Sequence, residues 1–485
     1  MDFAAFLMLT LLGLGVWKVS GAWHNKIAVL KSDKLQEMWC LGAPTVMEQA
    51  LQTFVLYIDT AMVGRIGAGA SAAVGLTTTV NWLFNGIFFT VSVAMLSIIA
   101  RYTGEGDMEA ARRTSAQAVW LLVPLSVVTT AAALLISPYL PGWMNASPEI
   151  WEDAGTYFFI ISCPMLFRGA LTVYGNVLRA NKDTKTPMYI NIFVNILNIA
   201  LNQMMIGSGT HIGFGAVSLF IPGAGWGVAG AAVATAVSQS IGGVIMIAAA
   251  MKNPLTTMRG QRLKPDRYII KNCFIVAFPL MGERLLIGSG QIMFSALVAG
   301  LGTLSTAAHS IALAIEEAFY IPGYGMQTAV STLAGNAVGR RSRKELSEVV
   351  KAGMLIAVSI MSFMAVFLFA ASPLIMSVFS GDADVIALGS LILRIVAVSE
   401  PLFAVLIILE GIFHGAGETR APFFIAAVTM WGIRIFFTWL SVSVFGAGLA
   451  VVWVCMVMDN VCRCALLAFL YRTNGWKKRL GLVSS

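Results

Sequence analysis

The sequence predicts an all-α integral membrane protein, with twelve transmembrane helices in two six-helix pseudo-symmetric lobes and room for an extra N-terminal hydrophobic helix. Three observations predict it. The chain has 485 residues, of which 58% are hydrophobic and only 12% charged, against about 45–50% and about 25% in soluble domains. So few charges cannot solvate the surface of a soluble protein of this size, which excludes an ordinary soluble enzyme, a disordered chain and a disulfide scaffold. Twelve apolar runs follow one another, each close to or beyond the ~20 residues that cross a hydrocarbon core. Finally, the second half of the chain repeats the first. Lipid offers no partner to a free backbone amide or carbonyl, so the spans must be helices.

In order, the runs cover 40–63, 71–100, 115–137, 154–178, 188–207, 226–250, 273–299, 307–337, 351–374, 386–414, 422–445 and 449–470, called spans 1 to 12 below. Pro164, Pro279, Pro322 and Pro401 fall inside or at the ends of these runs and predict kinks. Before span 1, residues 3–17 are apolar and preceded only by Asp2. That pattern lacks the basic start of a cleaved signal peptide and suits an extra span or an interfacial helix.

The connections set the sidedness. Alternate loops are basic: Lys18 to Lys34, Arg101 to Arg113, Arg179 to Lys185, Lys252 to Lys271, Arg340 to Lys351, Arg420, and the tail from Arg472 to Arg479. Of the 32 Lys and Arg, Arg168, Arg284, Arg394, Arg434 and Arg463 lie inside spans, and only Arg65 falls on the opposite side. The opposite loops are neutral or acidic. This alternation places the basic loops and the C-terminus in the cytoplasm, in a multi-pass protein of the cell membrane. The net charge of +8 then reports topology, and no nucleic-acid partner is expected. The expected organisation is an N-terminal hydrophobic extension (1–35), an N-lobe (36–250), a cytoplasmic basic linker (251–272), a C-lobe (273–471) and a cytoplasmic tail (472–485).

Shifting the chain by 235 residues exposes the repeat. Pro44 and Glu48 fall on Pro279 and Glu283, Ala72-Ala73 on Ala307-Ala308, and Gly104 on Gly339. With one-residue gaps, Ala180, Asp183, Thr184, Lys185 and Pro187 meet Ala416, Glu418, Thr419, Arg420 and Pro422. An even number of helices per half preserves orientation, so the repeat is parallel about an axis along the membrane normal, an arrangement used for alternating access.

Ionisable groups inside spans are costly, and they commonly face a cavity or a partner. Span 1 carries Thr45, Glu48, Gln52 and Asp59 on one helical face. Glu48 and Asp59 are separated by roughly 16 Å along the axis. Span 5 carries the stripe Asn191, Asn195, Asn198 and Asn202, and span 2 adds Asn81 and Asn85. Each Asn is also explained by interhelical hydrogen bonding; Asp59, with no basic neighbour on its helix, points to function. In the second half, span 7 carries Glu283 and Arg284, span 8 His309, Glu316 and Glu317, and span 10 Glu410 and His414. A carboxylate beside an imidazole can carry protons or form a structural pair. Asp459 and Arg463, four residues apart, read as a neutralised pair. The six cysteines, Cys40, Cys163, Cys273, Cys455, Cys462 and Cys464, read as helix-packing residues. No phosphate loop, HExxH or nucleophile elbow is present, so neither ATP-driven transport nor catalysis is expected from this chain.

These motifs resemble the multidrug and toxic compound extrusion (MATE) family. Pro44-x-x-x-Glu48 through Tyr57-Ile58-Asp59-Thr60-Ala61-Met62-Val63-Gly64 resembles its first-helix signature. Ala72-Ala73-Val74-Gly75 and Ala307-Ala308-His309-Ser310-Ile311-Ala312 resemble its starts of spans 2 and 8, and Gly104-Glu105-Gly106-Asp107 its loop after span 2. The segments Arg179 to Pro187 and His414 to Pro422 resemble its paired motifs before spans 5 and 11. The likeness runs over about residues 36–470.

The resemblance implies a two-lobe efflux antiporter that exchanges cationic or amphipathic drugs or metabolites for H⁺ or Na⁺, with no other cofactor. It implies cation coupling at Asp59, with Asn198, Asn202 and Glu48 around it. The second member of the span 5 pair is often Asp in relatives, and here it is Asn202. A substrate cleft is expected to draw on Gln52, Asn81, Asn85, Asn195, Glu283, Arg284, Glu316, Glu317, Glu410 and His414, in a chain acting as a monomer in the bilayer. Two rivals stand beside it. A flippase or exporter of lipid-linked oligosaccharide or polysaccharide, from the same superfamily, needs a large basic cavity, for which only Arg168, Arg284, Arg394 and Arg434 are available. A polytopic membrane enzyme needs catalytic groups gathered at one depth, and no such cluster is seen.

Overall fold

The computed structural model describes residues 33–144, 146–207, 209–214, 217–257, 260–261, 264–473 and 475–482. The hydrophobic extension expected before residue 33 lies outside the described residues. All twelve expected spans are helical: Asp33–Gly64, Ala68–Glu105, Met108–Ile136, Trp151–Ser162 with Met165–Ala180, Lys185–Met205, Gly227–Lys252, Arg267–Ala299, Thr303–Gly339, Arg343–Phe379, Ala383–Ala416, Arg420–Ser443 and Leu449–Arg472. Most run past the apolar limits read from sequence. An apolar run marks only the part that meets hydrocarbon, whereas the backbone ladder continues through polar ends such as Asp33, Lys34 and Glu37.

Among the described residues, eight of these helices are long and apolar enough to cross a membrane, and the bent pair of span 4 makes a ninth. Spans 1, 5 and 8 are long enough but fall short on apolarity. These three carry Asp59, the Asn stripe, and His309 with Glu316. Buried polar groups are not confined to these three: Glu400 and Asp459, both 0% exposed, lie in spans 10 and 12, which are apolar enough.

Of the four expected proline kinks, Pro164 gives a break, with the two parts of span 4 bent by 51°. Pro279, Pro322 and Pro401 sit inside continuous helices. Span 11 instead contains a π-turn at Met430–Ile435, which inserts one residue into the helical count. Between spans 5 and 6, β1 (Gly209–Phe214) and β2 (Val217–Pro222) pair antiparallel as a short hairpin.

The packing divides into two compact units. Among the described residues, one comprises those between 47 and 99 and between 107 and 275; the other comprises 33–46, 100–106 and those from 276 to 482. The start of span 1 and the end of span 2 therefore pack with spans 7 to 12. In the first unit the linker is fastened to span 3. Arg113 pairs with Asp266, Arg112 donates to the Pro254 carbonyl at 2.7 Å, and Gln117 donates to the Lys264 carbonyl and accepts from the Asp266 amide.

In the second unit, span 10 is the most buried of the candidate spans. Its Gly411 and Gly415, one turn apart, let span 8 approach to backbone contact. The Ser331 hydroxyl donates to the Gly411 carbonyl at 2.9 Å, and a β-carbon on Gly415 would lie 2.0 Å from the Ser331 carbonyl oxygen. Gly415→Ala is therefore expected to cost at least about 1–3 kcal/mol, the range for overpacking. It should lower the thermal midpoint in detergent; an unchanged midpoint would show that the contact can relax. Beyond span 12, Gly475–Arg479 forms a short helix. Trp476 packs against Phe413 with ring centroids 5.1 Å apart, and Arg479 pairs with Glu418 at 3.0 Å. Burial, aided by Arg343, pushes the Lys477 ammonium below its usual range.

Candidate functional site

Within the first unit, spans 1, 5 and 6 converge on Asp59. The carboxyl group is half-buried. Its Oδ1 accepts from Asn202 Nδ2 at 2.7 Å. With its amide nitrogen turned toward Asp59, Asn198 donates to both carboxylate oxygens at 3.0 Å and accepts from the Thr235 hydroxyl at 3.2 Å. That orientation satisfies both atoms of the Asn198 amide. Asn198 and Asn202 are buried at 5% and 2% exposure, so the amides that clamp the acid are themselves held by packing. No Lys, Arg or His among the described residues forms an ion pair with Asp59. Asn202 Oδ1 also lacks a donor. A carboxylate with an unpaired amide oxygen beside it, and no fixed counter-charge, is an arrangement that a proton or small cation can complete.

Glu48 stands apart from this group. It is 5% exposed and accepts from Arg179 at 2.6 and 2.7 Å and from Asn191 at 2.8 Å. Arg179 also donates to Asn176, which in turn donates to Ser92 at 2.7 Å. The charge of Glu48 is thus already balanced. Asn85 accepts from Arg168 at 2.9 Å, and Arg168 also caps the Ile161 carbonyl freed at the break in span 4. Asn81 and Asn195 are half-buried, each with one polar atom unpartnered, and Gln52 is exposed.

The repeat gives this geometry a comparison inside the same chain. At a shift of 235, Glu48 and Arg179 become Glu283 and His414. These two also face each other, with Glu283 Oε2 and His414 Nε2 separated by 3.8 Å, a pair that is ionic only when the imidazole is protonated. Asn85 and Arg168 become Tyr320 and Phe403, whose rings pack with centroids 3.9 Å apart. Asp59 becomes Phe294, and Arg434 lies over that ring at 5.8 Å. The second half keeps the scaffold pair but replaces the Asp59 cluster with aromatic packing.

The other acids of the second unit sit elsewhere. Glu410 faces Gln327 at 3.4 Å and Arg463 at 4.0 Å, so it does not pair with His414 one turn away. Asp459 binds both Arg434 at 2.9 Å and Arg463 at 3.4 Å, a wider neutralised group than the expected pair. His309 and Glu316, on one face of span 8, do not bond to each other. Glu316 accepts from the Tyr320 hydroxyl, whereas the His309 ring lies between Phe294 and Trp453 with neither nitrogen bonded. Arg284 is half-buried and Glu317 exposed. Cys273, Cys455 and Cys464 are buried packing residues, but Cys40 and Cys163 are exposed.

Two contributors carry no clear mark in the sequence pattern. Arg179 counts there as a loop charge, although its register with His414 marks it as the partner of Glu48. Thr235 carries no pattern of its own. Glu400, in Ser399-Glu400-Pro401, is a visible acid inside an apolar run and is 0% exposed.

The MatE family model matches residues 44–204 and 279–440 of this chain. The chain is 26% identical to the probable multidrug resistance protein NorM of Thermotoga maritima over 92% of this chain and 93% of that one. It is 23% identical to the uncharacterized transporter YisQ of Bacillus subtilis, over 93% and 98% respectively. Among solved structures, a MOP superfamily transporter from Pyrococcus furiosus, described as having a binding pocket of reverse polarity, superposes with a TM-score of 0.85 at 23% identity, covering 95% of this chain and 99% of that one. A variant of the Vibrio cholerae MATE transporter VcmN superposes with a TM-score of 0.83 at 17% identity, covering 92% and 99%.

Proposed function

We propose that this chain, which belongs to the multidrug and toxic compound extrusion (MATE) family of membrane transporters, works as a secondary antiporter that exports cationic or amphipathic small molecules in exchange for H⁺ or Na⁺. The observation that carries the reading is Asp59: an acid without a counter-cation among the described residues, held by two amides of span 5. A cation entering there neutralises the carboxylate and changes what Asn198 and Asn202 can bond to. It thereby biases the packing of span 1 against span 5, and a ligand shifts a conformational equilibrium only through such a difference in contacts. The parallel repeat supports alternating access by movement of one six-helix half relative to the other. Arg179 and Glu48 then serve as a fixed anchor, not as a cation site. The multidrug name of the Thermotoga relative supports the substrate class.

The lipid-linked sugar reading is disfavoured because two of the arginines it needs are engaged, Arg168 with Asn85 and Arg434 with Asp459. The test is dye efflux in inside-out vesicles with a pH gradient and a sodium gradient imposed separately. One of the two is expected to drive transport and so name the coupling ion. Transport indifferent to both would reject antiport.

A further inference from the structure

The loop between spans 8 and 9 has a counterpart in the loop between spans 2 and 3. At the shift of 235, Glu105, Gly106, Asp107 and Glu109 become Arg340, Arg341, Ser342 and Lys344. The first loop follows the electrostatics of a helix start. Asp107 caps span 3 by accepting from the Ala110 amide at 2.9 Å, and Glu109 lies in the first turn. The second loop does the reverse: span 9 opens with Arg343 and Lys344, set against the positive end of their own 37-residue helix. The two loops lie on one side of the membrane by the repeat, so sidedness alone does not call for bases in place of acids. The backbone shows the same preference. Gly106 has φ 80°, which glycine adopts freely, whereas Arg341 holds φ 52° at the matching place, a strained conformation for a residue with a side chain.

Counter-charge is short at this helix start. Glu345 is shared by Lys34 and Arg340 at 2.6 Å each, and Glu418 pairs with Arg479. Arg341, Arg343, Lys344 and Lys477 form no ion pair among the described residues, and Glu348, one turn beyond Lys344, pairs with none of them. Of the first-turn amides, those of Glu345 and Leu346 bond to Ser342, while those of Arg343 and Lys344 have no acceptor among the described residues. Free amides at a helix N-terminus suit an anion.

The tail brings a buried cation to the same place. The Leu482 amide donates to the Lys477 carbonyl at 2.9 Å, which turns the chain back and sets Gly481 against Arg341, whose Cδ lies 4.0 Å from where a glycine β-carbon would stand. Leu346 of span 9 shares one apolar core with Trp476 and Leu482. Lys477 is 5% exposed, with its Nζ 4.5 Å from the centroid of the Tyr471 ring and 5.6 Å from that of Trp476. Arg343 is the charged residue that faces it. Two cations facing each other repel unless an anion joins them.

We propose that the start of span 9 and the tail together bind the phosphate of an acidic phospholipid headgroup, with Arg341, Arg343 and Lys344, the two free amides and Lys477 as its donors. A lipid is the favoured source because the donors stand at the end of a span, at headgroup depth. The sidedness expected from the basic loops turns them toward the cytoplasmic leaflet, where acidic lipids attract such clusters. The bound phosphate supplies the charge that Lys477 and Arg343 lack and so fastens the tail to span 9. The inference rests on the chain spanning a membrane and not on antiport.

The test uses the full chain in nanodiscs of neutral lipid, to which phosphatidylglycerol or inorganic phosphate is added. Phosphatidylglycerol should raise the thermal midpoint saturably and stay bound in native mass spectrometry. Arg343→Gln with Lys344→Gln removes two exposed side chains, so the fold should hold while retention of that lipid falls at least about tenfold, as expected when two basic contacts to an anionic headgroup are lost. Lys252→Gln with Lys271→Gln removes the same charge elsewhere and should cost clearly less. Arg341→Gly relieves the backbone, so it should raise the midpoint in neutral lipid and yet weaken retention. Retention unchanged in Arg341→Gly or in the first double variant would overturn the proposal. Equal losses in the two double variants would reduce the effect to general surface charge and overturn it too. A midpoint raised equally by inorganic phosphate, with no lipid retained, would make the occupant free phosphate and overturn the lipid assignment.

Discussion

Asp59→Asn should insert into the membrane normally and lose gradient-driven efflux, with rates falling at least about tenfold toward those of protein-free vesicles. The substitution is nearly isosteric, and the new amide oxygen can still accept from Asn202 Nδ2, the bond that is 2.7 Å long in the native site. The fold loses no ion pair among the described residues, where Asp59 makes none. What disappears is the affinity for a cation, and with it any difference in free energy that the cation contributes to the two states of the transporter. Reversing a two-state population takes a differential affinity worth about 5.5 kcal/mol, so removing the Asp59 charge should collapse coupling, not trim it. The decisive measurement pairs driven efflux with the thermal midpoint. A normal midpoint with no driven efflux assigns the effect to coupling, and undiminished driven efflux rejects the role. Asp59→Glu keeps the charge one methylene further out, and should fall between the two.

The same contrast explains what could be read before any coordinates. Twelve helices and their order follow from apolar runs because lipid enforces helical bonding wherever such a run occurs. Asp59 was legible because a lone acid at a helical position inside such a run has few structural explanations. Its partners were half legible: Asn198 and Asn202 declare themselves by stripe, but Thr235 reaches the cluster only through tertiary packing of span 6. Helical spacing puts His309 and Glu316 on one face of span 8. Spacing fixes which residues share a face, not what the neighbouring helices offer; Tyr320 and the rings of Phe294 and Trp453 occupy those positions instead. Glu48 shares a face of span 1 with Asp59, which groups the two by sequence. It is separated by Arg179, a residue 131 positions away whose basic charge reads as topology.

The second large effect concerns that pair. Arg179→Leu leaves the Glu48 carboxylate, 5% exposed, with Asn191 as its remaining partner. Breaking a buried pair from one side costs about 3–5 kcal/mol, chiefly because the remaining charge stays desolvated. That is a large fraction of the stability of an ordinary domain, so folded yield and thermal midpoint should both drop sharply. If the cost is stranded charge, Glu48→Gln combined with Arg179→Leu should recover most of the midpoint, although each bond to Arg179 is still missing. The repeat supplies the internal control. His414→Leu removes the counterpart in the second half, where the separation is 3.8 Å and no hydrogen bond is made. Its loss should therefore be clearly smaller than that of Arg179→Leu. If the double variant also restores gradient-driven efflux, Glu48 is an anchor, and the cation site of the first half reduces to Asp59 and its amides. If stability returns while driven efflux does not, Glu48 shares in coupling and is more than an anchor.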